Sequence, residues 1–505
     1  MKPQTEFLPN KLISVHHPAV YAGTVVLLIA GALVWVWSPF LGAYFYADDF
    51  MYLLGAQTPG VLRSFLVPGG TDLVWVYRPL ASFGYYWVIR SLFGLNPDAF
   101  HLISLAVHLL NAILVAWLVS RLGCSRLASL FVSLIYAAHI SHWHGLVTTT
   151  FQEVLATFFV FSALAAFLRT ESSLGSEKST PTLALACFGA ALLSKESAFS
   201  LPLLLTWLEI VHASSSPPSS PLWVRFRRIL PFYLIAGVYS MILYVAGSFP
   251  SGENYVIGLD LSVFRRLRQY LWWALEPSVW GLSFESNLII LLFAGLLIIL
   301  RRYWQVCFGI GWFLISLLPV LSLPKRTDPQ YVMIGLLGLC LIVGVGIDRA
   351  LAIISRWIPR LAPYFAVIVL GCILLIDGSN ARSHNQYEIR AGWTGRTQRF
   401  ARCVASHVLR RYPAGLPAKT VIFRGFDGQE KWILWGGAIL NVLYQEPGIR
   451  SLFVPDPSPA PNHPLFSWTG DLPERDTLVI IDRRDISMSS CEIVPERGTC
   501  LETCS

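Results

Sequence analysis

Two adjacent carboxylates, Asp48 and Asp49, are the residues of this sequence best placed to do chemistry. They follow a segment from Leu12 to Ala47 that contains no Asp, Glu, Lys or Arg, and roughly 20 apolar residues are enough to cross a bilayer. The pair therefore lies where a first membrane helix meets water. Carboxylates so close to lipid are costly and are usually functional, although a solvated loop that merely ends the helix is the alternative. An ionised carboxylate at this place could accept the proton of an attacking hydroxyl group.

Cations would be needed near these carboxylates if the leaving group were a phosphate, because negative charge grows on it. Arg binds phosphate in a bidentate way, and Lys binds it as a point charge. For each candidate, contact with lipid headgroups is the alternative. The candidates are Arg78, Lys195 with Glu196 directly after it, and the adjacent pair Lys325 and Arg326.

Three histidines, His139, His142 and His144, lie within six residues. A metal site needs convergent ligands, usually with a Cys or a carboxylate among them, and Glu153 could supply one. Hydrogen bonding at the membrane boundary, or substrate contact by His139 and His142, is nevertheless favoured over metal ligation. We therefore predict no metal site and no cofactor, and a requirement for a divalent metal stays open.

The composition indicates a polytopic membrane protein. Of the 505 residues, 54% are hydrophobic and only 13% are charged, whereas soluble domains carry about 25% charged residues. The mean hydropathy of +0.56 agrees with this class. The net charge of +8 arises mostly from Lys and Arg in short loops between apolar segments, which is typical of membrane orientation. We therefore predict no binding of nucleic acid.

The predicted fold class is an all-α polytopic membrane protein of about eleven transmembrane helices, followed by a small C-terminal α/β soluble domain. Segments 81–93 and 261–275 are predicted to be helices lying on the outer membrane surface. The latter has an apolar stripe opposed by Arg265, Arg266 and Arg268. The predicted spans are 20–43, 100–119, 127–146, 150–168, 182–193, 199–211, 229–247, 287–300, 306–323, 331–347 and 364–376.

A cytoplasmic N-terminus satisfies the positive-inside rule, because the arginine-rich loops then fall in the cytoplasm. Loops 44–97 and 248–286, and every candidate residue named above, then lie on the extracytoplasmic side. Residues 1–380 form the predicted membrane domain, and residues 381–505 the predicted extracytoplasmic domain, in which helical and strand-like segments alternate. Its four cysteines, Cys403, Cys491, Cys500 and Cys504, allow three pairings.

The order of several motifs resembles that of the GT-C membrane glycosyltransferases, on the side of the protein O-mannosyltransferases and their bacterial relatives. The resemblance covers about residues 20–350. His139 and His142 occupy the place where such proteins often have His-Pro-x-His, although here Ile140 replaces the proline. The other matching pieces are Asp48-Asp49, Tyr77-Arg78-Pro79-Leu80, Phe93-Gly94-Leu95-Asn96-Pro97, Phe100-His101-Leu102, His108-Leu109-Leu110-Asn111-Ala112 and Leu193-Ser194-Lys195-Glu196-Ser197-Ala198.

The resemblance implies a polyprenyl- or dolichyl-phosphate sugar donor, an external active site and inversion at the anomeric carbon. It implies that Asp48 acts in catalysis, with Asp49 in support, and it leaves open a glycan, lipid or protein acceptor. Relatives often have Arg-Tyr where this chain has Gln330-Tyr331, with Lys325-Arg326 upstream. The contact with the donor phosphate is therefore expected to be rearranged around Tyr331.

Two other functions are compatible with a polytopic chain of this kind. A transporter or flippase for lipid-linked glycans would need ionisable residues at mid-bilayer, and often repeated halves. The charges of this chain lie at the ends of the predicted spans instead, which favours an enzyme. A non-catalytic assembly protein that binds a partner through its external domain would tolerate replacement of Asp48.

Overall fold

The computed structural model describes residues 18–56, 77–147, 151–172, 182–215, 222–246, 256–258, 260–275, 286–446, 448–454 and 478–486. Seven helices in these ranges are long and apolar enough to cross a membrane. Two shorter apolar helices, Arg126–Ala138 and Thr182–Leu192, accompany them. Because length and composition alone do not decide which helices cross the membrane, the count of eleven spans stays a prediction. The seven candidate spans are Val20–Phe40, Pro97–Arg121, Gln152–Arg169, Arg225–Val245, Trp304–Leu321, Leu336–Trp357 and Tyr364–Arg411.

Helices and three strands account for most of the described chain, with short 3-10 and π-helical turns between them. In the membrane domain the helices are α1 (Pro18–Trp37), α2 (Asp48–Gly55), α3 (Tyr85–Phe93), α4 (Pro97–Arg121), α5 (Arg126–Ala138), α6 (Trp143–Val147), α7 (Gln152–Ser172), α8 (Thr182–Leu192), α9 (Leu201–Ser215), α10 (Leu222–Val245), α11 (Ser262–Leu275), α12 (Ser286–Leu300), α13 (Trp304–Leu321), α14 (Leu336–Trp357) and α15 (Ala362–Arg390). The C-terminal region contains α16 (Trp393–Arg411), β1 (Thr420–Arg424), α17 (Gly428–Ile433), α18 (Ala438–Tyr444), β2 (Arg450–Val454) and β3 (Leu478–Asp482).

The starts of the central helices follow from local chemistry. Asn96 caps α4 by accepting a hydrogen bond from the Asp98 amide, and Pro97 occupies the first turn, where its missing N–H costs nothing. Ser125 caps α5 in the same way. Helix α5 ends at Ala138 instead of continuing to residue 146 as predicted, because His139 adopts an extended conformation. The histidine-rich segment is therefore a connection between helices and not part of a span.

The C-terminal α/β domain is built on a three-stranded parallel sheet in the order β2-β1-β3. The central strand β1 buries Val421, Ile422 and Phe423 in succession, as expected for a parallel strand covered on both faces. Phe423 stacks on Phe453 of β2 with ring centroids 4.8 Å apart. The sequence predicts strand-like segments at 420–423 and 478–482, and these become β1 and β3, whereas β2 is not predicted.

Two features of this region differ from the sequence-based boundaries. Helix α15 continues to Arg390 and so passes without a break through the predicted domain boundary at residue 380. The apolar segment 432–444 is divided between α17 and α18, because Gly436 and Gly437 have φ angles of 60° and 97°, which end a helix. Cys403 is buried, and the other three cysteines of the predicted pairings lie outside the described residues.

Candidate active site

Asp48 is presented by a tight turn between the end of the first membrane helix and α2. Ala47 has φ 48° and ψ −120°, and the Asp49 amide donates to the Tyr46 carbonyl at 3.1 Å. These are the features of a type II′ turn, in which the first central position favours glycine. An alanine in this conformation costs on the order of 1–3 kcal/mol, and it persists only where the surrounding structure holds it. The Asp48 turn (residues 46–49) is therefore a strained element, as often found at functional sites.

Asp49 stabilises the turn from inside. Its side chain is 1% exposed, and its Oδ2 accepts a hydrogen bond of 3.1 Å from the Tyr46 amide. Asp48, by contrast, is partly exposed. The two adjacent carboxylates therefore differ in geometry: Asp49 is placed to shape the turn, and Asp48 is the one accessible to a substrate.

Arg78 lies in a partly buried ion pair with Glu196. Its Nε donates to both carboxylate oxygens, at 2.9 and 3.0 Å, and its Nη2 lies 2.6 Å from Oε2. Its Nη1 donates to the Gln152 side-chain oxygen, and Gln152 in turn donates to the Tyr52 hydroxyl at 2.8 Å. Although burial alone would raise the pKa of Glu196, the neighbouring Arg78 guanidinium lowers it below its usual range. The pair joins the segment before α3 to the turn before α9.

Lys195 forms a second buried ion pair, with Glu153 at the start of α7. Its Nζ lies 3.0 Å from Oε1 of Glu153, whose side chain is 1% exposed. The Ser197 hydroxyl donates to the other carboxylate oxygen at 3.0 Å. The ammonium group also lies over the Tyr331 ring, 4.9 Å from its centroid, within the range of a cation–π interaction.

His144 pairs with Asp328 at the start of the segment that leads into α14. Its Nδ1 lies 2.7 Å from Oδ2 of Asp328, and both side chains are partly exposed. Asp328 also caps the 3-10 turn Pro329–Val332 by accepting from the Gln330 amide at 3.0 Å. Burial would lower the pKa of His144, but the Asp328 carboxylate reverses this effect and raises it.

The cations of two of these pairs, together with Arg326, act on Asp48 through their charge. Burial raises the pKa of the Asp48 carboxyl group, and the positive charges of Arg326, His144 and Arg78 oppose this increase, in that order. We call the set made of Asp48, Arg78, His144, Lys195, Glu196, Arg326 and Asp328 the Asp48 cluster. A carboxylate with a raised pKa, which is still accessible and faces cations, is suited to accept a proton.

The structure brings together most of the site residues predicted from the sequence, with the exception of His139 and His142. Asp48, Arg78, Lys195, Glu196 and Arg326 belong to the Asp48 cluster. Asp49 lies beneath it, Tyr331 contacts Lys195, and Lys325 is exposed beside Arg326.

His139 and His142 make buried contacts with other parts of the bundle. His139 shares a hydrogen bond of 3.2 Å with the Ala274 carbonyl of α11. His142 is fully buried and shares one of 2.9 Å with the Tyr136 carbonyl, and its ring lies 4.6 Å from that of His108. Among the described residues no group of three His, Cys, Asp or Glu side chains is arranged to hold a metal ion.

Several functional candidates could not be selected from sequence alone. Gln152 and Glu153 lie at the start of a span, and Asp328 lies beside the predicted Lys325-Arg326 pair. His144 belongs to the predicted histidine segment, but nothing in its spacing separates it from His139 and His142. The helical pattern places Gln152 and Glu153 at the start of α7. It does not show that they pair with Arg78 and Lys195, which lie more than forty residues away in sequence.

No family model matches the chain, and no curated protein matches it in sequence. Solved structures that resemble it include ArnT from Cupriavidus metallidurans bound to undecaprenyl phosphate and the same protein in the apo state. The TM-score is 0.52 for each, with 16% and 15% sequence identity, and each match covers 85% of this chain and 86% of ArnT. The chain therefore shares the overall fold of ArnT, and this is the GT-C fold that the resemblance in sequence predicted.

Proposed function

We propose that the protein is an integral-membrane glycosyltransferase that moves a sugar from a polyprenyl-phosphate donor to an acceptor hydroxyl group. The observation that carries this proposal is the Asp48 turn, which presents a partly exposed carboxylate to the positive charges of Arg326, His144 and Arg78. The fold supports it, since the ArnT structure of that fold is bound to undecaprenyl phosphate. A carboxylate beside cations is what transfer away from a lipid phosphate requires.

In the proposed reaction the acceptor oxygen attacks the anomeric carbon of the donor sugar. A bond forms between them, while the bond from the anomeric carbon to the phosphate oxygen breaks. The electron pair of that bond goes to the polyprenyl phosphate, and the acceptor proton goes to Asp48. Attack opposite the leaving group inverts the anomeric centre.

The cations have different tasks in this proposal. Arg78 and Lys195 are tied to a partly buried and a fully buried carboxylate, respectively, so they fix the walls of the site and the loops that carry it. Arg326 and Lys325 lie on the segment before Asp328, where they are partly or fully accessible. We assign the donor phosphate to this segment, with Tyr331 and Lys195 beside it.

The active site is proposed to face the extracytoplasmic side, with the N-terminus in the cytoplasm. The support is the distribution of positive charge, because under this orientation the arginine-rich connections near residues 121–126, 225–228 and 301–302 lie in the cytoplasm. The donor lipid would then present its phosphate at the membrane surface beside the Asp48 cluster.

The test uses purified protein in detergent with a panel of polyprenyl-phosphate sugars, and it follows the conversion of donor to polyprenyl phosphate. We expect turnover with at least one donor, and a decrease of at least about 100-fold in Asp48→Asn, since a general base contributes that much. Asp260→Asn, which changes an exposed carboxylate in another loop, is the control and keeps full activity. Undiminished turnover in Asp48→Asn would refute the assigned base, and failure of the wild type to bind any donor would refute the class.

A further inference from the structure

The C-terminal domain contacts the Asp48 turn directly. The Ala47 amide donates a hydrogen bond of 2.7 Å to the Ile433 carbonyl at the end of α17. The Tyr46 ring lies 6.3 Å from the Trp432 ring and 6.1 Å from the Trp393 ring, in edge-on orientation to both. The residue just before the proposed base is thus fixed by a domain distant from it in sequence.

This contact falls where the turn needs support. Ala47 holds the positive φ angle that a type II′ turn reserves for glycine, and its side chain is 2% exposed. The bonds between Tyr46 and Asp49 lie within the turn and would break with it. Among the described contacts of the Ala47 backbone, the bond to Ile433 is the one that reaches outside the membrane domain.

The partner side of the contact is itself rigid. Helix α17 begins with a capping box, in which Asp427 and Glu430 satisfy each other's backbone amides. Glu430 also accepts a hydrogen bond of 2.5 Å from Nε of Arg483, directly after β3. A continuous path therefore runs from the sheet through Arg483, Glu430 and α17 to the Ile433 carbonyl.

We propose that the C-terminal domain is a positioning element of the active site, in which the Ile433 carbonyl and the Trp432 indole hold the Asp48 turn in its reactive conformation. This inference rests on the proposed function and deepens it, because it makes Trp432 and Ile433 positioning residues for the base. Misplacement of a reacting group by about 1 Å can cost 100-fold in rate. Binding of the donor phosphate, assigned to the segment 325–331, does not depend on this contact.

The first test compares Trp432→Ala with Trp432→Phe. We expect Trp432→Ala to lower kcat by about 10- to 100-fold without a change in the KM for the donor. Trp432→Phe keeps an aromatic ring against Tyr46 and should recover most of the rate. Phe453→Leu weakens the core of the same domain away from the turn, so it is the control and should keep the wild-type kcat. Equal losses in Phe453→Leu and Trp432→Ala would show that only domain stability matters, and would overturn the proposal.

A second test uses the strain of the turn. Glycine adopts the Ala47 conformation without penalty, so the turn in Ala47→Gly should keep its shape with less external support. We therefore expect the Trp432→Ala defect to be several-fold smaller when Ala47→Gly is also present. A defect of the same size in both backgrounds would contradict the role assigned to the strained turn.

A third measurement does not depend on activity. Hydrogen exchange of the segment 45–50, followed by mass spectrometry, reports the bond between the Ala47 amide and Ile433. Exchange should accelerate in Trp432→Ala and not in Phe453→Leu, and unchanged protection would overturn the proposal. If the wild type transfers no sugar, the proposed function fails, while this exchange result still decides whether the domain holds the turn.

Discussion

Nδ1 of His144 lies 2.7 Å from Oδ2 of Asp328, and the positive charge of His144 acts on the carboxylate of Asp48. The Asp328 carboxylate raises the pKa of His144 against the opposing effect of burial, while His144 in turn lowers the pKa of Asp328. The imidazole is therefore held in its charged form to higher pH than a free histidine. It supplies one of the positive charges that favour the ionised form of Asp48.

Removal of this charge should change the pH dependence of transfer. His144→Gln eliminates a cation that lowers the pKa of Asp48. It also leaves the negative charge of the Asp328 carboxylate no longer balanced by His144. Both effects raise the pKa of Asp48, so the acidic limb of kcat/KM should move to higher pH. The measurement is the pH–rate profile of the purified variant. His407→Gln, in the C-terminal domain, is the control, and a limb at the wild-type position in His144→Gln would contradict the prediction.

The ion pair between Arg78 and Glu196 should have a strongly non-additive effect on stability. Arg78→Met leaves a largely buried carboxylate, 20% exposed, without its cation, so it should cost at most about 3 kcal/mol, the lower end for broken buried pairs. Glu196→Gln should also destabilise the protein, but the double variant should lose much less than the sum of the two. Thermal unfolding in detergent gives the three values. Additive losses would mean that the two side chains act independently, contrary to their 2.6 Å contact.

The same pair predicts a pH dependence of stability. The pKa of Glu196 is lowered in the folded protein, so its contribution is complete above the ordinary Glu pKa of about 4.3 and is lost as pH falls through the lower folded value. The difference in melting temperature between wild type and Glu196→Gln should therefore be constant near neutrality and should shrink only in acid. A difference that grows on acidification would have the wrong sign for this pair.

Much of this architecture could be predicted because it depends on local patterns. A long uncharged segment followed by Asp48 and Asp49 gives a span and its boundary. Short apolar runs give β1 and β3, and an amphipathic pattern gives α16. Asp48 and Arg326 could be selected because charges are rare in such a chain. The order of the motifs predicted the fold of the membrane region, and the comparison with ArnT confirms that fold.

What could not be predicted depends on contacts between distant segments. Glu196 was selected as a substrate contact, yet in the structure it neutralises Arg78, 118 positions away. The predicted span over 127–146 included the histidine segment, so nothing in the prediction marked the turn that brings His144 to the site. The bond between Ala47 and Ile433 joins two backbones, so no side-chain pattern announces it.

Helix α11 agrees with the sequence pattern in its form and departs from it in the role of one arginine. Its apolar stripe and its helical form were predicted, with Arg266 among the cations of the opposite face. Arg266 is instead 5% exposed, and it donates from Nε to the Leu321 carbonyl and from Nη2 to the Gly258 carbonyl, each at 2.9 Å. One turn further along, the Tyr270 hydroxyl donates to the Arg326 carbonyl at 3.3 Å.

Arg266 therefore ties α11 to the end of α13, and Tyr270 ties α11 to the segment assigned to the donor phosphate. Arg266→Met removes both carbonyl bonds, so we expect the helix to shift and Arg326 to lose its fixed position. The KM for the donor should rise several-fold, while kcat at saturating donor should fall less, because Asp48 is held by other contacts. The exposed neighbour Arg265 provides the matched control, since Arg265→Met changes the same charge without these bonds. If both variants raise KM equally, the effect is one of surface charge, and the predicted role of the buried guanidinium is wrong.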